Sequence, residues 1–350
     1  MSDGTRLAGA FAVAIVLSTL ATPVMRSLAA QTAFYDEPLG YKRHLQPTPY
    51  LGGAAVIAGF ITSGLVFAWG LQHLAVIMLA ALALFAVGTV DDRIGLGVLV
   101  RLGVQVGAAL ALWSADVRWE VSDAAVLNLL VTLVWVVGVV NAFNLMDNLD
   151  GAAATVAAVS ALGTGIVAVS QGAPEAAALG FALAGACAAF LRFNLANPAR
   201  IFLGDGGSMP IGLMVAAVVI SCPHGSLGWA SLLALAPLAG LPIFDTTLVV
   251  FSRYRRGAPI LSGGRDHLTH RLLPRVGSER SVALVVGAAQ GLLCLLALAL
   301  VLSDREPVAA AGAAAYLGLG LIAIAALEGE DSPQSRPSAA SVVAVESIER

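Results

Sequence analysis

Residues 125–151 read AVLNLLVTLVWVVGVVNAFNLMDNLDG, an apolar run that ends in a polar cluster. A helix that crosses the hydrocarbon core of a membrane needs about 20 mostly apolar residues, and this run is long enough. The cluster that follows it contains Asn141, Asn144, Asp147, Asn148 and Asp150. Amides and carboxylates at the border of a membrane span are costly to keep, so their presence favours a functional interpretation.

The whole chain has the composition of a membrane protein. Of its 350 residues, 58% are hydrophobic and only 12% are charged, and the mean hydropathy is +0.87. Soluble domains carry about 25% charged residues. We therefore predict an all-α, polytopic integral membrane protein. Its eleven apolar windows are, roughly, 7–28, 50–71, 73–90, 101–115, 124–142, 151–171, 174–192, 208–222, 228–250, 281–303 and 307–327.

The basic residues predict the orientation of these spans. Fourteen Lys and Arg residues lie in or beside the connectors 29–49, 91–100, 143–150, 193–207 and 251–280. The opposite side has three, Arg6, Arg118 and Arg305. Since basic residues accumulate on the cytoplasmic side, we expect an external N-terminus, an uncleaved first span and cytoplasmic catalytic loops. Residues 1–327 are predicted to form one transmembrane domain, and 328–350 a disordered cytoplasmic tail.

In three of the predicted cytoplasmic connectors, carboxylates are the candidate functional groups. Asp91 and Asp92 follow an apolar helix end and could hold Mg²⁺ or remove a proton, or could be ordinary helix-end residues. Asp147 and Asp150 are neighbours if the helix continues to residue 151, and they are otherwise a helix end followed by a cap. Asp205 stands between glycines, which suggests a metal that bridges to phosphate, although a turn with an N-cap would look similar.

The two remaining connectors are basic. Residues 35–53 contain Lys42 and His44, which could bind a phosphate or a diphosphate, or anchor lipid head groups. Residues 253–272 contain His267 and His270 at a spacing that lets both rings point the same way. The pair lacks further ligands at a zinc-site spacing, so contact with phosphate and sugar is favoured. Asp245 lies within a span, either as a buried structural acid or as a cavity residue.

These motifs, taken in order, resemble the polyprenyl-phosphate N-acetylhexosamine-1-phosphate transferases, a group of the glycosyltransferase family 4 type. The resemblance covers residues 36 to about 272. It rests on Asp36, Pro38, Lys42, His44, Pro47, Pro49, Gly52 and Gly53; on Asp91, Asp92 and Gln105; on Asn141, Asn144, Asp147, Asp150 and Gly151; on Asn194 through Asp205 to Ser208; and on His267, His270 and Arg271.

The resemblance implies an activity and a set of site residues. A polyprenyl phosphate in the inner leaflet of the cell membrane would attack a UDP-N-acetylhexosamine, release UMP and form a polyprenyl-diphospho-sugar. The cofactor would be Mg²⁺, with Mn²⁺ as an alternative. The implied catalytic residues are Asp91, Asp92, Asp147 and Asp150; the substrate-binding residues are Lys42, His44, Asn144, Asn194, Arg265, His267 and His270; and the metal ligands are Asp205 and Asp92.

Three residues depart from the family pattern: Arg101 replaces Lys, Asn148 replaces Gly and Thr269 replaces a central His. The remaining pattern is closer to the UDP-GlcNAc branch than to the phospho-MurNAc-pentapeptide transferase branch, which stays an alternative. An inactive homologue and a transporter with proton-relay acids are further alternatives. Membrane lipid is an expected partner and nucleic acid is not, while homodimerisation is left open.

Overall fold

The computed structural model describes residues 2–36, 47–222, 228–260, 264–303 and 305–329. The described chain is helical almost throughout. Its one sheet is the two-residue antiparallel pair β1 (Tyr35–Asp36) and β2 (Thr48–Pro49). The helices are α1 (Asp3–Gln31), α2 (Gly52–Phe67), α3 (Leu74–Ile94), α4 (Val98–Ser114), α5 (Ala125–Met146), α6 (Ala152–Ser170), α7 (Pro174–Asn194), α8 (Asp205–Ile220), α9 (Trp229–Leu235), α10 (Gly240–Arg256), α11 (Leu268–Val276), α12 (Glu279–Ser303) and α13 (Glu306–Gly329).

The membrane-protein prediction is confirmed. Eight helical segments in the described residues are long and apolar enough to cross a membrane, and α9 and α10 form one of them, joined by a 3₁₀ turn. Three shorter apolar helices, α2, α4 and α8, accompany them. These segments coincide with the eleven apolar windows of the sequence. The number of crossings and the orientation stay predictions.

Helix α8 is the centre of the fold. It is apolar on all sides, and every residue from Gly206 to Ile220 is buried. A helix of this composition is stable only when other helices surround it, and α2, α3, α5, α6 and α7 pack against it. Its sixteen residues span only about 24 Å, less than the hydrocarbon thickness of about 30 Å. Asp205, its first residue, therefore sits where the ends of several longer helices surround it.

Glycines allow the start of α8 to approach its neighbours. A Cβ atom on Gly53, in α2, would overlap the backbone of Gly207. A Cβ atom on Gly88, in α3, would overlap the carbonyl group of Asp205. The segment before α8 is also hydrogen-bonded to α2, since the Gly52 N–H donates to the Phe202 carbonyl at 3.0 Å. The backbone around Asp205 is thus held from two sides.

The polar cluster of residues 141–151 is not one helix. Helix α5 ends at Met146, Asp147 is its C-cap residue, and Gly151 precedes α6 in a left-handed conformation with φ +78°. Of the two alternatives for Asp147 and Asp150, the structure has the helix end, so the two residues do not share one helical face. The break occurs because the turn uses Gly151, whose φ is favourable for glycine, to reverse the chain into α6.

The described chain divides by its contacts into two units. Residues up to Ala313 form the large helical unit, which contains all the predicted site residues. The second unit begins at Ala314, and its described part is the remainder of α13. Residues 330–350, most of the predicted tail, lie outside the described residues.

Candidate active site

Three helix ends meet at the start of α8 and bring four carboxylates together. We call Asp91, Asp92, Asp147 and Asp205 the acidic cluster. Arg101, from the first turn of α4, is placed between two of its members: its Nη1 lies 2.9 Å from Asp91 Oδ2 and 3.5 Å from Asp205 Oδ2. Arg101 is thus a single guanidinium shared by two carboxylates.

The amide of Asn144 orients Asp205. Its Nδ2 donates to Asp205 Oδ1 at 2.8 Å and lies 3.0 Å from the hydroxyl of Ser208, one turn into α8. Asp205 therefore has one oxygen bound to Asn144 and the other facing Arg101. The polar residues that end α5 are accordingly used, at least in part, to fix the acid that begins α8.

Asp92 has a different environment from Asp91. Its Oδ1 accepts the backbone N–H of Asp205 at 2.9 Å, and its Oδ2 accepts that of Gly206 at 3.0 Å. The residue before α8 is Gly204, which has no capping side chain, so Asp92 caps the helix from another element. The predicted catalytic and metal-binding roles of Asp92 stay predictions. Both of its oxygens already accept hydrogen bonds from the backbone at the start of α8.

Asp147 lies inside the same concentration of negative charge. Burial raises the pKa of Asp147 well above its ordinary value, and the nearby carboxylates of Asp205, Asp92 and Asp150 raise it further. An opposing contribution comes from a hydrogen bond with the backbone of Gly204. The part of this shift that the neighbouring carboxylates cause reports a negative electrostatic potential at this end of the bundle.

Asn194 connects two backbone segments. It is buried, its Oδ1 accepts the N–H of Gly151 at 2.7 Å, and its Nδ2 donates to the carbonyl of Ile201 at 3.1 Å. Both ends of the amide therefore hold the turn before α6 against the segment before α8. Its predicted contact with substrate stays a prediction, and the structure gives it a structural role.

The segment between α10 and α11 is organised around Asp266. Arg253 donates hydrogen bonds to this carboxylate from two nitrogens, Nε and Nη2, each at 2.8 Å. Arg256 Nη2 donates a further hydrogen bond at 2.9 Å. Burial raises the pKa of Asp266, but the hydrogen bonds and charge of Arg253 outweigh it and lower the pKa to about 2. We call Asp266, Arg253 and Arg256 the arginine clamp. Arg265, a predicted substrate ligand, is exposed beside it.

The predicted histidines begin α11. His267 is buried, and its Nδ1 lies 2.8 Å from Oδ2 of the fully buried Asp245. His270 is half-buried, and the two rings are 6.4 Å apart between centroids. Asp245 is therefore hydrogen-bonded to His267. Of the two interpretations that the sequence left open, the structure supports the buried structural acid.

Two of the three departures from the family pattern contact each other. The hydroxyl of Thr269 donates to Oδ1 of Asn148, and Nδ2 of Asn148 donates to the carbonyl of Leu145 at 2.7 Å. The third departure, Arg101, is the guanidinium shared in the acidic cluster. The Asn148–Thr269 bond places the start of α11 beside the turn that carries Asp147. Lys42 and His44 lie outside the described residues.

The donor set can be compared with the needs of Mg²⁺. In the described part of the chain, no three His, Cys, Asp or Glu side chains are arranged to hold a metal by themselves. Mg²⁺ in phosphoryl-transfer sites commonly takes one or two carboxylates and completes its shell with water and substrate phosphate. Asp91 and Asp205 are close enough to share the guanidinium of Arg101, and they fit that open type of site.

Two features of the site had only weak signals in the sequence. The capping of α8 by Asp92 joins residues more than 110 positions apart, and only the glycine before Asp205 indicated that this helix lacks a local cap. The Asp245–His267 pair was signalled by an acid inside an apolar span, which is costly unless the acid is partnered. Neither pairing follows from spacing along the chain.

The comparisons with known proteins agree with this geometry. Residues 74–222, which include α3 through α8, match the family model described as glycosyl transferase family 4. The decaprenyl-phosphate N-acetylglucosaminephosphotransferase of Mycolicibacterium smegmatis is 30% identical over 315 residues, 78% of this chain and 77% of that protein. The chain belongs to glycosyl transferase family 4. The family predicted from the motifs is confirmed.

Other relatives in the family have similar names. A probable undecaprenyl-phosphate N-acetylglucosaminyl 1-phosphate transferase of Bacillus subtilis is 27% identical over 80% of this chain and 81% of that protein. An undecaprenyl-phosphate alpha-N-acetylglucosaminyl 1-phosphate transferase of Yersinia pestis is 28% identical over 78% of each. The similarity thus extends over most of the length of both chains.

Proposed function

We propose that this protein transfers N-acetylglucosamine-1-phosphate from UDP-N-acetylglucosamine to a polyprenyl phosphate in the cell membrane. A phosphate oxygen of the lipid attacks the sugar-linked phosphorus, the bond between that phosphorus and the bridging oxygen breaks, and UMP leaves with that oxygen. The observation that carries the proposal is the acidic cluster at the start of α8, where Asp91 and Asp205 share Arg101. The names of the relatives from M. smegmatis and B. subtilis support the acceptor and the sugar.

The cluster suits this chemistry because phosphoryl transfer depends mainly on positioning and on neutralising negative charge. We propose Asp205 and Asp91 as the residues that would hold Mg²⁺, with Mn²⁺ as an alternative. When bound, the metal neutralises charge on the donor diphosphate. Asn144 keeps Asp205 in one orientation, and Asp92 keeps the backbone of Asp205 in place.

The surrounding residues would bind and orient the two substrates. Asp147 and Asp150, in the turn between α5 and α6, are proposed to orient the nucleotide. His267, His270 and Arg265 at the start of α11 are proposed to contact the diphosphate or the sugar, and Lys42 the phosphate groups. The site would face the cytoplasm, where UDP-sugars are made, and the lipid phosphate would enter from the inner leaflet.

The direct test is release of UMP by the purified full-length protein in nanodiscs, with polyprenyl phosphate and Mg²⁺. Parallel reactions would contain UDP-GlcNAc, UDP-GalNAc or UDP-MurNAc-pentapeptide. We expect turnover with UDP-GlcNAc, loss of turnover after chelation with EDTA, and recovery with added Mg²⁺. Preference for UDP-MurNAc-pentapeptide would overturn the proposed sugar, and activity in EDTA would overturn the metal dependence.

The transporter alternative is disfavoured by the position of the acids. Asp91, Asp92 and Asp205 lie at helix ends, whereas proton-relay acids are expected near the middle of the membrane. Asp245 lies further inside its helix but is paired with His267. Uptake of a solute by reconstituted vesicles, without release of UMP, would be the contrary result.

A further inference from the structure

The carboxylate of Asp245 joins α10 to the start of α11. Asp245, in the second turn of α10, is fully buried, and its two oxygens have different partners at the start of α11. Oδ1 accepts the backbone N–H of Leu268 at 2.6 Å, and Oδ2 lies 2.8 Å from Nδ1 of His267. Asp245 therefore caps α11 and holds the imidazole at the same time.

The pair leaves the other nitrogen of the ring for a ligand. His267 is 4% exposed, and among the described residues Nε2 has no hydrogen-bond partner. Nε2 is not one of the fully buried polar atoms that lack a partner. Some of its surface is therefore accessible to solvent. Part of the exposed surface of this residue is thus at the ring nitrogen opposite Asp245.

A further contact places the start of α11 beside the acidic cluster. Two residues along the chain, Thr269 donates to Asn148, in the turn between α5 and α6. That turn also carries Asp147, whose carboxylate interacts electrostatically with Asp205 and Asp92. Helix α11 therefore begins beside the acidic cluster, with His267 held from behind by Asp245.

We propose that Asp245 is a positioning residue, which keeps the proton of neutral His267 on Nδ1 and presents Nε2 to the UDP-sugar. A carboxylate can only accept hydrogen bonds, so its partner nitrogen must carry the proton. Arg253, from the same helix, interacts electrostatically with Asp245. The identity of the substrate rests on the proposed function, whereas the tautomer of His267 does not.

The substitution Asp245→Asn tests this inference because it has a defined consequence. The amide oxygen must face the N–H of Leu268, since an amide nitrogen there would oppose another donor. The amide nitrogen then faces Nδ1 of His267 and donates to it. The proton of the neutral ring is displaced to Nε2, while the size of the side chain is unchanged.

The tautomer can be read by NMR of the full-length protein labelled with ¹⁵N-histidine, at a pH where the ring is neutral. The chain has five histidines, and comparison with His267→Gln identifies the signal. We expect a protonated Nδ1 in the wild type and a protonated Nε2 in Asp245→Asn. A wild-type ring protonated only on Nε2, or an unchanged tautomer in the variant, would overturn the inference.

Kinetics then test whether the pair acts on substrate. Asp245→Asn should lower kcat/KM for UDP-GlcNAc by about 10- to 100-fold, the value of one hydrogen bond to a charged group. Asp245→Glu should recover part of that loss. In a His267→Gln background the same substitution should have little further effect, because its target ring is gone. Equal losses in both backgrounds would show that Asp245 acts independently of His267 and would overturn the positioning role.

The two measurements separate this inference from the proposed function. A wild-type protein with the expected tautomer but no release of UMP from UDP-GlcNAc would contradict the proposed function and leave the Asp245–His267 assignment standing. A protein that turns over UDP-GlcNAc but has the wrong tautomer would contradict the assignment alone. The wild-type spectrum decides this even if a variant folds poorly.

Discussion

The acidic cluster and the arginine clamp are both built on aspartates, yet their charges are balanced in opposite ways. In the cluster, Asp91 and Asp205 share one guanidinium, and the other two acids are bound by backbone N–H groups. In the clamp, the single carboxylate of Asp266 receives two arginines. The cluster therefore has an excess of negative charge, and the clamp an excess of positive charge.

This difference separates two roles. The acidic cluster can accept a cation, whereas the arginine clamp stabilises the conformation of its segment. Carboxylates that raise one another's pKa are unfavourable unless another cation joins them. The doubly bound Asp266 instead stabilises the fold of its segment without help. Substitutions in the cluster should accordingly change turnover more than stability, and substitutions in the clamp should do the reverse.

The largest effect is expected from Asp205→Asn. The asparagine oxygen can still accept from Asn144, but the charge that faces Arg101 is lost. We expect kcat to fall by about 10³-fold or more, as for other charge-balancing groups in phosphoryl transfer, with little change in thermal stability. The same change at the exposed Asp123 is the matched control. Near-normal UMP release by Asp205→Asn would remove this residue from the metal site.

Gly88→Ala tests whether the backbone of Asp205 must stay in place. The new Cβ would overlap the carbonyl of Asp205, so the start of α8 must move. A displacement of about 1 Å can lower turnover about 100-fold, and overpacking costs about 1–3 kcal/mol of stability. Gly107→Ala, at a helical glycine with open space around it, should change neither quantity. Equal behaviour of the two variants would contradict the tight α3–α8 contact.

Asp266→Asn should affect stability first. Because folding lowers the pKa of Asp266 to about 2, its stabilisation is present above about pH 4 and is lost as the pH falls toward 2. We expect a loss on the order of 2 kcal/mol at pH 7, which shrinks in acid, measured by thermal unfolding. Asp116→Asn breaks a more exposed pair with Arg118 and should cost less than about 1 kcal/mol. A pH-independent loss would contradict the ionic role of the clamp.

The smallest effect is expected from Thr269→Val, which removes the hydrogen bond between α11 and Asn148. The loss of one neutral hydrogen bond, about 1 kcal/mol, should raise KM for UDP-GlcNAc about fivefold with kcat nearly unchanged. Thr247→Val removes a hydroxyl that donates within its own helix and is the matched control. If Thr269→Val raises KM by the same factor in an Asn148→Gly background, the Thr269–Asn148 hydrogen bond does not contribute to substrate binding.

Most of the fold was predictable because it follows from local hydrophobicity. Each apolar window became a helix, since a backbone in a membrane must satisfy its own hydrogen bonds. The sequence left the end of α5 open, and the helix ends at Met146 instead of continuing to Gly151. Turn chemistry there overrides periodicity, and the positive φ of Gly151 is a property of the folded turn that a single sequence does not reveal.

The candidate site was predictable in its members but not in their connections. The acids stood out because carboxylates are rare beside apolar spans, and that argument identified Asp91, Asp92 and Asp205. It treated Asp91 and Asp92 as equivalent, whereas one is paired with Arg101 and the other caps α8. The family resemblance implied that Asn194 binds substrate, which stays a prediction, and it did not reveal that both ends of this amide join backbone segments.

The sequence by itself determined that this protein is a helical membrane protein with its polar chemistry in a few connectors. That information is local, because apolar length sets the spans and the free energy of burying charge limits where acids can stand. Only the tertiary structure decided which acids share Arg101, which one caps α8, and which one holds His267. Those pairings join residues 10 to 114 positions apart, so they depend on helix packing rather than on sequence spacing.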